Sequence, residues 1–152
     1  MKLIAIIFGL LTATCAAAGL SGKWLGQGEW TYQGSGAHCY MNLSFEENDD
    51  YLIRKGGYFD CQVVGLNVEP ARFRKKGTQL LNEDMNVIGS YENNIIKLNE
   101  VYSADVDIFT TIKVDGLHFD YSEIWKKKDG SELYNISGRL FTGGDGLRNT
   151  AR

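Results

Sequence analysis

The polar residue with the clearest chemical potential is Glu123, which stands two positions from Tyr121 and two from Trp125. Residues at i and i+2 of an extended strand share a face, so the carboxylate would lie between two aromatic side chains. A buried lone carboxylate costs free energy unless a partner compensates it. We therefore expect one of two arrangements. Either Glu123 points inward and anchors a polar or cationic group of a ligand, or it lies in water near an opening or accepts a tyrosine hydroxyl.

A second feature is the alternating run that begins at Gly22, in which Trp24, Gly26, Gly28 and Trp30 fall on one face. Aromatic residues separated by glycines indicate a strand that bends at a barrel corner, or backbone kept clear for a ligand. The predicted ligand-binding residues are the carboxylate and its aromatic surroundings: Trp24, Trp30, Tyr121, Glu123, Trp125 and Tyr134.

Other chemistry lacks a supporting pattern. The two histidines, His38 and His118, have no second histidine or free cysteine at ligand spacing, so we predict no metal site. The acidic turn around 46–50 lacks the spacing of a calcium-binding EF-hand. No Ser-His-Asp order, phosphate-binding loop or carboxylate pair stands out. We predict no catalytic residues and no cofactor, and therefore not an enzyme.

The first residues predict a secretory signal peptide over 1–18. Lys2 precedes an apolar run, and Ala16 to Ala18 supply a small-residue cleavage site. The run is shorter than the roughly 20 residues of a membrane span, and no later stretch is long enough for one. Cleavage removes Cys15 and leaves Cys39 and Cys61, which an oxidising compartment would pair. We predict a secreted or periplasmic protein.

The net charge limits the possible partners, and the alternation of apolar and polar residues predicts the fold class. The net charge of −3, without a basic block, disfavours nucleic acid and anionic membranes as partners. With 18 glycines and one proline, short alternating runs are broken about every ten residues, which is typical of an all-β sandwich or barrel. We predict an antiparallel meander β-barrel of about eight to ten strands over 19–141 and a flexible tail over 142–152. The predicted strands are 22–33, 37–47, 51–63, 66–75, 78–82, 85–92, 95–102, 106–114, 117–127 and 132–141.

Two Asp-Gly pairs, at 115–116 and 129–130, predict type I′ hairpin turns. Loops centred there pair Val114 with Leu117 and Trp125 with Tyr134. The two registers agree on one inner face, and a one-residue slip would expose the whole set. That face comprises Val106, Ile108, Ile112, Leu117, Phe119, Tyr121, Trp125, Tyr134, Ile136 and Leu140.

A similar argument places the cysteines. A three-residue loop at 48–50 pairs Phe45 with Ile53, and a bulge at Gly56-Gly57 absorbs two residues. Cys39 then faces Cys61, within reach of a disulfide. The enclosed loop makes this bridge worth roughly 3 kcal/mol in the chain-entropy model.

The run Gly22-x-Trp24-x-Gly26-x-Gly28 resembles the first strand of lipocalins and their calycin relatives, in its nitrobindin-like form. The resemblance implies a barrel whose tryptophan closes one end, with a basic residue of the last strand near it; Arg139 is the candidate. Two departures stand out. Nitrobindin-like proteins hold haem through a histidine on a late strand, and 132–141 has none. Our register also places Arg139 opposite Asp120 on the outer face, so haem is not implied.

Two functional classes remain. The leading hypothesis is an exported lipocalin-like barrel that holds a small, mostly apolar or amphipathic molecule. The alternative is an exported interaction protein or enzyme inhibitor, in which a filled barrel presents loops to a protein partner. An interior cavity of roughly 300 Å³ or more would favour the first class.

Overall fold

The structure, a computed structural model, describes residues 19–142. The predicted signal peptide and residues 143–152 of the predicted tail lie outside the described residues. No helix among 19–142 is long and apolar enough to cross a membrane. The described chain forms eleven strands: β1 Gly22–Tyr32, β2 Ser35–Glu47, β3 Tyr51–Cys61, β4 Val64–Val68, β5 Ala71–Lys76, β6 Gln79–Leu81, β7 Val87–Glu92, β8 Ile95–Val101, β9 Val106–Asp115, β10 His118–Lys127 and β11 Glu132–Thr142.

All strand pairs are antiparallel, and nearly every strand pairs with its neighbours in sequence. β1 also pairs with β11, and this pairing closes the sheet into a ring. Closure leaves little open sheet edge to invite association, and β4, which among the described strands pairs only with β3, keeps one free side. The predicted all-β antiparallel meander barrel with a Cys39–Cys61 disulfide is therefore confirmed.

The strand predicted over 66–75 is two strands, β4 and β5, separated at Pro70. Proline has no backbone N–H to donate to a ladder and restricts the residue before it, so pairing stops there. The two pieces pair with different halves of β3, on either side of Gly56. Gly56 has a φ of +113°, and a Cβ there would lie 3.2 Å from the Val68 carbonyl oxygen.

The β9–β10 register predicted from the first Asp-Gly turn is wrong by two residues. Val114 pairs with Phe119, and the loop is Gly116-Leu117. Gly116 has a φ of +60° at the first loop position, as a type II′ turn favours. Leu117, predicted to face inward, lies exposed in the loop. Because a two-residue shift preserves the faces of the strands, the rest of the inner set is unaffected.

The β10–β11 register is confirmed, with Trp125 opposite Tyr134 and Glu123 opposite Ile136. The strands lose this regularity between Trp125 and Lys126, close to the turn. The faces on which the predicted site residues of these two strands lie therefore follow from local turn chemistry.

The β2–β3 hairpin differs by one residue. Cys39 pairs with Cys61 as predicted, but Phe45 pairs with Arg54 rather than with Ile53. The bulge absorbs one residue, Lys55, where two were expected. A slip of one residue turns the opposite face inward, so Arg54 is 9% exposed.

One end of the barrel is filled. Trp24 is fully buried there, packs on Phe119 with ring centroids 4.8 Å apart, and donates its indole N–H to the Leu20 carbonyl at 2.7 Å. Four residues after Trp24 in β1, a Cβ at Gly28 would come within 2.6 Å of the Met41 sulfur, and a Cβ at its partner Gly138 in β11 within 2.5 Å. These glycines therefore make room for Met41 rather than for a ligand.

Candidate functional site

The strand registers align the inward side chains of β8 to β11 and β1 in layers that run around the barrel. We call each layer a ring and name it after one of its residues. The Glu123 ring lies nearer the middle of the barrel, and the Trp125 ring lies two residues further toward one end. The Glu123 ring comprises Leu98, Thr110, Glu123, Ile136 and Trp30; the Trp125 ring comprises Glu100, Ile108, Trp125 and Tyr134. This end of the interior is richer in polar and aromatic groups than the end that Trp24 closes.

Four side chains at this end form what we term the aromatic cluster: Trp30, Tyr102, Trp125 and Tyr134. The centroid of the Trp125 indole lies 4.9 Å from that of the Tyr134 ring with planes 25° apart, and 4.4 Å from that of the Tyr102 ring with planes 56° apart. Trp30 lies 6.2 Å from Tyr134 at 49°. Tyr102 is 63% exposed and the other three are half-buried, so the cluster lies where the interior meets solvent.

Glu123 points inward and is 8% exposed. One carboxylate oxygen accepts the Tyr121 hydroxyl, and the other accepts the Trp125 indole N–H at 2.5 Å. Glu123 thus points inward, as the first expected arrangement has it, and accepts a tyrosine hydroxyl, as the second has it. Burial, and then the charge of Glu123, hold the pKa of Tyr121 well above its usual value, which keeps its hydroxyl protonated as a donor.

Arg54 is a member of this interior that the sequence reasoning missed. Its Nη1 and Nη2 bind the Glu100 carboxylate at 2.9 Å and 3.1 Å, and its Nε donates to the Glu69 carbonyl at 2.8 Å. Burial alone would lower the pKa of Arg54, but the hydrogen bond and charge of Glu100, together with the charges of Tyr121 and Glu123, outweigh burial and raise the pKa, so the guanidinium stays charged. Arg54 faces inward only because the bulge after it absorbs one residue rather than two, and no local sequence pattern distinguishes these bulges.

The charges of this interior do not balance within residues 19–142. Arg54 is engaged by Glu100, and none of the described lysine, arginine or histidine side chains lies within salt-bridge distance of Glu123. Glu123 therefore has two neutral hydrogen-bond donors and no cationic partner in contact. Neutral donors orient a carboxylate and stabilise it in part, and among the described side chains the only compensation by charge is the longer-range attraction of Arg54, which Glu100 already engages in contact.

Two buried polar atoms, Trp30 Nε1 and Thr110 Oγ1, have no hydrogen-bond partner in the part of the chain that the structure describes. Thr110 is directly opposite Glu123 across β9 and β10. Unpartnered buried polar groups are uncommon and cost about 1–3 kcal/mol each. Both atoms belong to the Glu123 ring, so a ligand with a polar group has donors and acceptors to meet there.

A cleft of 420 Å³ opens in the side of the barrel between β5 and β8. The wall is incomplete here because β6 spans only three residues. Phe73, Ile88, Glu100 and Val101 are among its lining residues. None of the six predicted ligand-binding residues lines this cleft, but Tyr102 of the aromatic cluster directly follows Val101.

The structure brings five of the six predicted site residues together and separates the sixth. Trp24 stands six positions from Trp30 in β1, about 20 Å along the strand. It closes the opposite end of the barrel, as the family resemblance implied for this tryptophan. The predicted outward Arg139 is also seen, since it forms an exposed bidentate pair with Asp120 at 2.6 Å and 3.0 Å.

The histidines lie outside this site. His38 Nδ1 is 4.0 Å from Glu29 on the surface, and His118 Nε2 is 3.8 Å from Asp115 and stacks near Phe141. Residues 19–142 contain no group of three or more histidine, cysteine or acidic side chains placed to hold a metal ion.

Comparison with known proteins gives a match in structure only. No family model and no curated protein matches the sequence. The crystal structure of Rv2717c from M. tuberculosis aligns with 82% of this chain and 92% of its own at 13% identity and a TM-score of 0.58. A structure of EF1p2_mFAP2b bound to DFHBI covers 82% and 94% of the two chains at 13% identity, with a TM-score of 0.47. At 13% identity the likeness to Rv2717c shows the fold alone, an antiparallel β-barrel.

Proposed function

We propose that this chain is an exported, non-catalytic β-barrel that holds a small, mostly apolar molecule at the aromatic cluster. The observation that carries the proposal is the cluster itself. Its rings contact one another at the end of the interior, and they stay partly open to solvent instead of being sealed in the core. Small-molecule sites are concave and mostly apolar, with a few polar groups that set orientation.

The polar groups around the cluster fit that description. Trp30 offers a free N–H, Thr110 a free hydroxyl and Glu123 a carboxylate, all in one ring of side chains. The cleft of 420 Å³ between β5 and β8 ends at Val101, the residue before Tyr102, but it is open to solvent and the aromatic cluster does not line it, so it is not the interior cavity expected of a binder. Export is supported by the pattern of residues 1–18 and by the buried disulfide, since disulfides persist in oxidising compartments.

A second function has one observation in its favour. On the outer face of β2 and β3, Tyr40 is 62% exposed beside the exposed Tyr58, and a shallow pocket runs between these rings and Leu25. Exposed aromatic residues are enriched at protein interfaces. If the barrel acts as a filled scaffold, we expect a protein partner to dock on this face.

Two measurements separate these functions. Native mass spectrometry of the purified chain would report a co-purifying small molecule or a co-purifying protein. Titration with the neutral dye N-phenyl-1-naphthylamine would then locate binding through the tryptophans, of which the chain has three. In the variant Trp24→Phe the dye should still quench emission, because Trp30 and Trp125 remain.

A variant that retains only Trp24 serves as the control. In Trp30→Phe/Trp125→Phe, emission from the filled end should change little on dye addition. Quenching of equal size in both variants would place the dye away from the aromatic cluster. Absence of dye binding together with a co-purified protein lost in Tyr40→Ser would favour the second function.

A further inference from the structure

We propose that the ligand of the aromatic cluster is an organic cation, an ammonium group carried on an apolar body, with its charge directed at Glu123. The inference rests on the proposed function and names the chemical class of its ligand. It combines the unpaired carboxylate, the arrangement of the four rings and the free hydroxyl of Thr110.

The unpaired carboxylate is the first argument. Glu123 is buried, and its two contacts, from Tyr121 and Trp125, come from neutral groups. Arg54 shares this interior, but Glu100 occupies both of its terminal nitrogens. A bound cation would compensate the charge of Glu123, whereas an anion would add a second uncompensated charge in a poorly hydrated place.

The arrangement of the rings is the second argument. Cations bind over the faces of tryptophan and tyrosine rings, and cages of such rings recognise quaternary ammonium groups. Tyr102 and Trp125 lie with planes 56° apart and Trp30 and Tyr134 with planes 49° apart, whereas Trp125 and Tyr134 are stacked at 25°. The two tilted pairs present ring faces in more than one direction, and the partly exposed rings keep surface that a cation can reach. The indole N–H of Trp125 donates to a carboxylate, which makes that ring more electron-rich.

The third argument separates an ammonium group from a metal ion. Hard metal ions need several oxygen ligands, and no group of three or more candidate ligands occurs among residues 19–142. An ammonium group needs one carboxylate, ring faces and at most a few acceptors. Where the nitrogen of the ligand carries hydrogens, Thr110 Oγ1, unpartnered among residues 19–142 and opposite Glu123, provides such an acceptor; a quaternary ammonium group relies on the carboxylate and the ring faces alone.

The test uses a pair of probes that differ in charge and little in shape. Phenyltrimethylammonium and tert-butylbenzene have the same phenyl body, and the second replaces the charged nitrogen by carbon. Calorimetric or fluorescence titration of the mature chain should give a dissociation constant at least tenfold lower for the cation, since desolvated cation–π contacts are strong enough for this.

Matched variants assign the preference to the site. Glu123→Gln should weaken binding of phenyltrimethylammonium about tenfold and leave tert-butylbenzene within about twofold. Glu46→Gln, an equal change at an exposed carboxylate paired with Lys55, should alter neither. Because Glu123→Gln could disturb folding, Tyr102→Leu provides a second variant at an exposed position. It should weaken the cation severalfold, whereas Tyr40→Leu, equally exposed on the outer face, should not.

Each outcome decides between the two proposals. Equal or tighter binding of tert-butylbenzene would overturn the cation inference and leave the binding function standing. Failure of both probes and of the naphthylamine dye would overturn both. Cation binding that survives Glu123→Gln and Tyr102→Leu unchanged would place the cation elsewhere and overturn the inference alone.

Discussion

The buried pair between Arg54 and Glu100 lends itself to a quantitative prediction about stability. The pair joins β3 to β8, which are not neighbours in the sheet, so it links opposite walls of the barrel. Arg54→Met keeps much of the side-chain volume and removes the charge. Glu100 is then left without its cation, and the Glu69 carbonyl loses a donor. We therefore expect a lower free energy of unfolding.

The magnitude follows from burial. Removing one partner of a fully buried ion pair costs about 3–5 kcal/mol, because a charge remains in a poorly solvated place. The Glu100 side chain is 22% exposed and lines the cleft, so water would solvate part of the stranded charge. The expected loss is therefore lower, about 2–3 kcal/mol. Arg54→Met/Glu100→Gln, which strands no charge, should recover at least half of it.

Urea unfolding of the oxidised chain, followed by tryptophan fluorescence, would measure these differences. Arg139→Met is the matched control, because Arg139 holds Asp120 with the same two-nitrogen geometry on an exposed face. Exposed pairs contribute about 0–1 kcal/mol, so this variant should change little. A loss for Arg54→Met no larger than that for Arg139→Met, or a double variant less stable than Arg54→Met, would refute the reasoning.

Three further predictions concern stability. Replacing Cys39 and Cys61 by alanine should lower the free energy of unfolding by roughly 3 kcal/mol, and reductant should then have no effect on the urea midpoint. Gly138→Ala should destabilise by at least about 1–3 kcal/mol through overpacking, whereas Gly36→Ala, whose Cβ would make only ordinary contacts at 3.8 Å and 3.9 Å, should be tolerated in the same assay. Burial and Glu47 raise the pKa of Tyr91 to about 12, so its contribution to stability is complete below pH 10 and is lost as the pH rises toward 12. Tyr91→Phe should make the fall of the urea midpoint over that window less steep without abolishing it, because Tyr121 and Tyr134 also have raised pKa values; an unchanged slope would contradict this.

Part of the candidate site follows from local patterns. Alternation in β10 and the turn that leads into β11 place Glu123, Trp125 and Tyr134 on one face, because both act over a few residues. The presence of Tyr102 in the cluster had no such signal. It follows β8 in a loop, and the way that loop packs across β9 onto β10 brings its ring to Trp125.

The difference in packing around the two ends of β1 also depends on the whole barrel. Trp24 and Trp30 share a face by alternation, and the sequence alone does not say which end of the interior is packed. Packing decides it, since Met41 fills the space over Gly28 and Gly138 between them. The end beyond Met41 keeps Glu123 and the aromatic cluster, and the other end is packed around the fully buried Trp24 and Phe119.

By itself the sequence determined the all-β meander, the inner face of β10 and β11, and the pairing of Cys39 with Cys61, because alternation and turn residues act locally. Only the tertiary structure decided that Arg54 faces inward to Glu100 and that the carboxylate of Glu123 is left without a cation. The physical reason is that a bulge of one residue or two depends on the balance of contacts across several strands. Ring closure, likewise, brings together strands that no local pattern relates.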